Sequence, residues 1–476
     1  MKIFTGYIKK YRWLLLILSA AAICFIFLGK RVPSWVEWKE KNFTLANDSV
    51  LVLKDKRVYL KDVNDNYLWK STDMMVQDAF VCDIDRSGDE ELILLTWKKG
   101  KYGKDMPFWE KEKEKSYSQH IFIYDIDSNK GVSPKWFASD IGRQVVRMKQ
   151  MEENPIIFLE EDIEGNNTLW KWDSFGLKNI ENEVKFIAYG DNIIHKTIYE
   201  YARNHEGGNY DFLYKPFLDE IRAADIAAIQ AETVLVDKES AVSGYPCFGS
   251  PLEVGEAIAD AGFNLVASAN NHALDKGIYG INVTSSFYRS NGIVCAGIQE
   301  GCDNTYRPYE IITKNGIRFA VFSYTYGTNG NDASDRYPYA VHYLPTDETG
   351  EKEFVKEISQ AKKETDFTVV FVHWGNEYQK EISAEQRHIC ELFAKASADV
   401  IIGSHPHVVQ DAEIVKRPDG GEMLVYYSLG NFRADQRMYE STQKGAEASF
   451  IVEHTYDGVS VKKWEIKDVD ATVFVK

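Results

Sequence analysis

Residues 367–410 read FTVVFVHWGNEYQKEISAEQRHICELFAKASADVIIGSHPHVVQ. Two short apolar runs, FTVVFVHWG and ADVIIGSHP, flank SAEQRHICELFAKAS, which reads as a helix. Strand, helix and strand at this interval point to an α/β domain, in which polar residues at the strand ends hold the site. Each of these strands ends in histidine: His373 after the first, His405 and His407 after the second. Alternate spacing lets both imidazoles of the second strand reach one side of an extended segment, with Pro406 restricting the backbone between them. A single histidine so placed is more often a hydrogen-bonded structural residue than a ligand, so the rest of the chain has to decide.

Upstream, the same device recurs. VKFIAYG leads to Gly190 and Asp191, with His195 a helical turn later; ADIAAIQAE reaches Glu232; NLVASANNHALD ends in Asn270, Asn271, His272 and Asp275. The chain has ten histidines, and four of them stand within or directly after such strands. Converging strand ends favour a metal site over isolated structural histidines. Mixed imidazole and carboxylate ligands suit zinc, manganese or iron better than calcium. A bridging carboxylate would allow a second ion about 3.5–4 Å from the first.

Before this domain, residues 48–180 change character to short strands broken by acidic turns. VYLKDVNDNYLWKSTD resembles IFIYDIDSNKGVSPKWFASD, and LWKWDSFG is a weaker third copy, so we expect a β-rich, propeller-like domain of repeated units. Within it, DIDRSGDEE sets Asp83, Asp85, Ser87 and Asp89 at alternate positions around a glycine. That spacing can wrap calcium and resembles integrin-like FG-GAP loops, but the full twelve-residue calcium loop is absent and a polar hairpin turn is the alternative. The charged stretch WKKGKYGKDMPFWEKEKEKSYSQ reads as a solvated insertion.

At the N-terminus, residues 13–29 carry no charge and are bracketed by Lys9, Lys10 and Arg12 before and Lys30 and Arg31 after. Seventeen helical residues reach about 25 Å, enough with snorkelling flanks to cross a bilayer. Residues 1–30 are therefore expected to form a cytoplasmic tail and transmembrane signal-anchor, and 31–47 a linker, with the main domains extracytoplasmic; a cleaved secretion signal is the alternative. Outside the anchor Cys82, Cys247, Cys295, Cys302 and Cys390 form no CxxC pair, and Cys295 and Cys302 could bridge in an oxidising compartment. A net charge of −16 over 476 residues argues against a nucleic-acid partner, which would need an excess of lysine and arginine.

Taken together, YGDNIIH, the glutamate of AIQAETVL, ASANNHALDKGIYGI, VVFVHWGNEY, QRHICELFAKASADVIIGSHPHVVQ and YYSLGNF resemble the bacterial CapA family. That family is named for poly-γ-glutamate capsule synthesis and belongs by fold to the calcineurin-like metallophosphoesterases. The resemblance implies, for residues 184–465, a four-layer β-sandwich flanked by helices. It further implies that Asp191, Glu232, Asn271, His373, His405 and His407 are metal ligands for one or two ions, with Glu232 the candidate bridge. His272 would sit near the leaving group, Asp275 and His195 would be catalytic or supporting residues, and Arg433 would bind an anion. The chain departs from the family in having Gln230 and Ala231 where Asn-Leu precedes the glutamate, and from hydrolytic phosphoesterases in lacking an Asp-x-His first motif. The expectation is a metal-dependent hydrolase of phosphoester or amide bonds working beside the capsule or envelope synthesis machinery. A non-catalytic assembly factor with a structural metal or polymer site is the alternative, and an adhesion module on a degenerate scaffold a weaker third.

Overall fold

The computed structural model describes residues 31–45, 48–100, 116–127, 131–138, 141–151 and 157–474. The segment read as a membrane anchor lies outside the described residues, and among those residues no helix is long and apolar enough to cross a membrane. The chain divides into two compact units, one of Met1–Glu181 with Thr455–Asp457 and the other of Asn182–His454 with Gly458–Lys476.

The first unit contains three successive four-stranded antiparallel sheets. They comprise β1 (Lys41–Thr44), β2 (Val50–Lys54), β3 (Arg57–Lys61) and β4 (Tyr67–Lys70); β5 (Met75–Cys82), β6 (Glu91–Lys99), β7 (Tyr117–Asp127) and β8 (Gly131–Phe137); and β9 (Val145–Gln150), β10 (Ile157–Asp162), β11 (Asn167–Asp173) and β12 (Gly176–Ile180). Alternation sets their faces: Leu51 and Leu53 of β2 and Val58 and Leu60 of β3 are buried while their neighbours are not. All three copies of the sequence repeat fall on the third and fourth strands of their sheets. The repetition is thus visible as stacked meanders, but the described residues show no closed propeller ring.

The acidic loop at Asp83 is a filled polar turn. Asp83, Asp85 and Glu91 come within ligating distance of one another, but the Lys135 ammonium stands 2.6 Å from Asp85 Oδ2, 2.7 Å from Glu91 Oε1 and 3.0 Å from Asp125 Oδ1. Asp83 accepts the backbone N–H groups of Ser87 and Gly88, both at 2.9 Å, while Ser87 Oγ accepts from Asp89 N. A lysine brought in from β8 thus supplies the positive charge expected of calcium. In this arrangement Lys135, not a metal ion, neutralises the carboxylates expected to wrap calcium, and of the expected set Asp83 and Asp85 stand within ligating distance of Glu91 while Asp89 does not join that group. The five described cysteines are all free, so the Cys295–Cys302 bridge is also absent.

The second unit is built on two mixed sheets. One runs β18 (Val294–Ala296), β17 (Leu265–Ala267), β14 (Ile226–Ala231), β13 (Glu183–Asn192), β26 (Lys444–Thr455), β27 (Gly458–Asp470), with β25 (Asn431–Arg433) also pairing with β13. The other runs β19 (Glu310–Lys314), β20 (Ile317–Thr325), β21 (Phe367–His373), β22 (Val400–Ser404), β24 (Glu422–Tyr426), β23 (Ala412–Lys416). A short ribbon pairs β15 (Leu235–Val236) with β16 (Ser250–Pro251).

Period-two alternation sorts the strand residues between layers. Phe186, Ala188, Val369, Phe371, Val400 and Ile402 meet in a core common to both sheets. Their alternates face outward: Ile187 and Tyr189 pack under α1 (Lys196–His205) and under the later helices α3 (Leu252–Ala261) and α4 (Gly277–Ser290), near the short α2 (Leu218–Arg222). Val370, Val372 and Ile401 pack under α5 (Glu348–Glu364) and α6 (Ala384–Lys395). The result is the expected stack of helices, sheet, sheet and helices. Helix starts are fixed locally: Asp347 caps α5 by accepting from Thr349 N and Gly350 N, and Ser383 with Gln386 forms a capping box on α6.

Candidate metal centre

The parallel strands β13, β14, β21 and β22 and the loop after β17 bring their C-terminal ends to one place. At the end of β13, register shifts between Tyr189 and Asp191, re-aiming the carboxylate. A Cβ on Gly190 would lie 2.0 Å from the Gly430 carbonyl oxygen, so this approach of two backbones requires glycine. Gly403 is held likewise, its ideal Cβ 2.0 Å from Tyr427 O.

Asp191 and Glu232 stand with His407 in one potential ligand set, and Glu232 stands with His373 and His405 in a second. His407 Nδ1 is 3.2 Å from Asp191 Oδ2 and 3.8 Å from Glu232 Oε2, and His373 Nε2 is 3.5 Å from Glu232 Oε1. Glu232 thus belongs to both sets, as a bridging carboxylate would. Asn271 Oδ1 lies 3.0 Å from His373 Nε2, bringing its amide oxygen to the same point. On the far side of that ring, Nδ1 contacts Ser404 Oγ at 2.9 Å, which fixes the ring's orientation.

The histidine pair reaches this place by a different route from the one its spacing implies. Strand β22 ends at Ser404, and His405 and His407 lie in the bend beyond it with φ of 95° and 56°. The alternate-residue picture of an extended segment is corrected: two left-handed residues curl the chain so that both rings face the carboxylates. Such conformations are costly away from glycine and persist where surrounding structure enforces them. Here Asp191 Oδ2 accepts the His405 N–H at 3.1 Å.

The electrostatics fit a divalent cation. Burial first, then the charges of Asp191 and Glu377, pushes the Glu232 carboxyl well above its usual range. Burial lowers His373 far below the imidazole range and brings His405 down to about 3, the neighbouring histidines adding to both. Asp191 Oδ1, both Glu232 oxygens, His405 Nδ1 and His407 Nδ1 are buried with no hydrogen-bond partner among the described residues. Buried carboxylates and neutral imidazoles left this way are costly unless a cation satisfies them.

Beside the ligand sets, His272 Nδ1 is 2.7 Å from Asp275 Oδ2, which also accepts from Phe248 N at 2.6 Å. The Phe248 ring meets His272 edge-on at 4.7 Å. Asp275 therefore sets the His272 tautomer, leaving Nε2 for proton transfer. Asn270 is structural: it donates to Ala231 O and Ser268 O and accepts from His272 N. His195 is outside the ligand sets; its Nδ1 accepts from Asp435 N at 3.2 Å, and burial holds its pKa down to about 4. Arg433 does not present an anion site. It is buried, donates to Asp470 O at 2.9 Å and lies over the Phe217 ring.

Two side chains not picked out from the sequence also stand here. Tyr326 lies 4.7 Å from the His405 ring, centroid to centroid. Glu377, exposed in the turn after β21, comes within ligating distance of His405 and His407. The signal for Glu377 was the HWGNEY run itself, from which only His373 stood out.

The sequence model of the family described as bacterial capsule synthesis protein PGA_cap matches residues 185–436. The chain belongs to this family. Among its capsule-synthesis relatives, the PGA biosynthesis protein CapA of Bacillus subtilis (strain 168) is 31% identical over 181 residues, covering 38% of this chain and 45% of that protein. The capsule biosynthesis protein CapA of Bacillus anthracis is 31% identical over 190 residues, 39% of this chain and 43% of that one. The matched stretch therefore spans less than half the length of these PGA_cap relatives. A phosphatase from Mycoplasma pneumoniae superposes with a TM-score of 0.35 at 17% identity, over 61% of this chain and 94% of that one. The calcineurin-like phosphoesterase YfkN from Bacillus subtilis gives 0.34 at 11% identity, over 61% and 91%. Scores this low leave the assignment resting on the PGA_cap match.

Proposed function

We infer that the chain is a metal-dependent hydrolase acting on a capsule or cell-envelope polymer, poly-γ-glutamate included. The observation that carries this reading is the group of five buried ligand atoms, on Asp191, Glu232, His405 and His407, that lack any partner among the described residues. Asp191, Glu232, Asn271, His373, His405 and His407 would hold one or two ions of manganese, iron or zinc. When bound, such a metal supplies Lewis-acid stabilisation of charge developing on the substrate. The chain's own contribution is orientation and proton transfer. Ser404 fixes the His373 ring through Nδ1, and His272, held by Asp275, donates a proton to the departing group.

Family membership supports the polymer substrate and capsule or envelope synthesis machinery as partner. The apolar N-terminal run supports a single-pass anchor with extracytoplasmic domains. Deleting residues 1–30 should release the chain from the membrane fraction.

Elemental analysis of the purified chain tests the reading. At least one equivalent of transition metal should bind, be lost in Asp191→Asn and His407→Ala, and be retained in His272→Ala. Hydrolysis of γ-glutamyl or phosphoester substrates should be essentially abolished in the first two variants and should fall by about 10²–10⁴ in the third. Metal absent from the wild type would overturn the assignment. Full capsule production by His272→Ala with metal intact would instead mark an assembly factor.

A further inference from the structure

Glu377 stands apart from the other acidic groups of the site. Asp191 and Glu232 are buried, whereas Glu377 is exposed, in the turn Gly375–Tyr378 that follows β21. It forms a third ligating set with His405 and His407. That set takes one histidine from each of the two sets that share Glu232, so Glu377 lies across both from the solvent side. The turn is anchored: Tyr378, at φ 64°, donates its N–H to Pro406 O at 2.8 Å, and its ring stands 6.0 Å from that of His407. The carboxylate is therefore carried on backbone tied to the same bend that presents the two histidines.

Resting on the metal-hydrolase reading, we propose that Glu377 is a specificity-determining residue that holds a negative charge over the outer face of the metal centre, selecting uncharged carbonyl groups, amide or ester, over phosphoesters. Two divalent ions, if Asp191 and Glu232 held both, would leave two net positive charges, and Glu377 would reduce this to one. A phosphodiester brings a full negative charge to that face, while an amide carbonyl develops charge on one oxygen only as it reacts. Like charge a few ångströms away weakens anion binding even at an exposed position, by on the order of tenfold, or about 1.4 kcal/mol. The scissile amide carbonyl of a polymer chain is itself uncharged, and the α-carboxylates of poly-γ-glutamate stand several bonds away from it, so the opposition at the reacting group is weaker than for a phosphoester.

The test uses the full chain loaded with Mn²⁺ and titrated calorimetrically with inorganic phosphate, as wild type, Glu377→Gln and Glu377→Asp. Metal content should be equal in all three. The glutamine variant should bind phosphate at least about tenfold more tightly, with the aspartate variant close to wild type. The ratio of phosphodiester to γ-glutamyl anilide hydrolysis should rise in the glutamine variant by a similar factor. Unchanged or weaker phosphate binding with metal intact overturns this inference alone. Loss of a metal equivalent in Glu377→Gln also overturns it, making Glu377 an ordinary ligand. A wild-type chain that takes up no metal overturns it together with the hydrolase reading.

Discussion

As the proposed bridging ligand, Glu232 would act on stability and on metal binding with opposite signs. Its carboxyl is raised well above the usual carboxylate range by burial and by the charge of Asp191. In the metal-free chain the folded state therefore keeps the proton that the unfolded chain has already released. Stability is present in full below the unfolded pKa and is lost as pH rises through the raised folded value. Glu232→Gln removes this loss, so the metal-free variant should melt a few degrees above wild type at pH 7.5. With metal the order should invert: the wild type gains about 2.7 kcal/mol at a hundredfold excess over Kd, and the variant gains little. Calorimetry with and without Mn²⁺ checks both, and a metal-insensitive wild type would contradict the site. Asp275→Asn acts on chemistry instead. It disturbs the 2.7 Å contact that orients His272, so turnover should fall by about 10²–10⁴ with metal content unchanged.

At the scale of elements, the strand ends are placed by close backbone contacts that tolerate no addition. Gly190→Ala would drive a Cβ to 2.0 Å from Gly430 O. The expected cost is about 3 kcal/mol or more, read by urea unfolding, with metal binding lost because Asp191 moves with it. Ser383→Ala should cost only about 1 kcal/mol, since α6 loses one cap and keeps its buried face. These elements were legible in the sequence because alternation and capping are local: FTVVFVH shows both faces of β21, and S-x-x-Q marks the start of α6. What stayed hidden depended on the third dimension. His405 and His407 were read as alternate residues of a strand because spacing carries no φ. Lys135 was missed at the Asp83 loop because it arrives from a different strand. Arg433 was misread because a buried arginine and an exposed one have the same letter. Glu377 went unnoticed because a lone acidic residue in a turn is the ordinary surface pattern.

Over the whole molecule, pH should act on the two units in opposite directions. In the second unit the proposed metal ligands would have to be deprotonated to bind, so metal-derived stability should rise with pH. In the first unit, Glu160 of β10 is 1% exposed, with Oε1 unpartnered among the described residues and Oε2 3.4 Å from Thr168 Oγ1. Burial pushes its pKa up to about 7 from 4.5. Below pH 4.5 both folded and unfolded chains hold the proton. Between 4.5 and 7 only the folded chain does, so stability falls across this window by up to about 3 kcal/mol. Glu160→Gln has no proton to lose and should flatten the fall. Hydrogen exchange, corrected for intrinsic rates and read separately for residues 145–180 and 184–436, resolves the two effects. From pH 5 to pH 8 with Mn²⁺ present, protection should drop in the first segment and rise in the second. Glu160→Gln should abolish the drop and leave the rise. A drop that persists in Glu160→Gln would assign it to other groups of the β-rich unit.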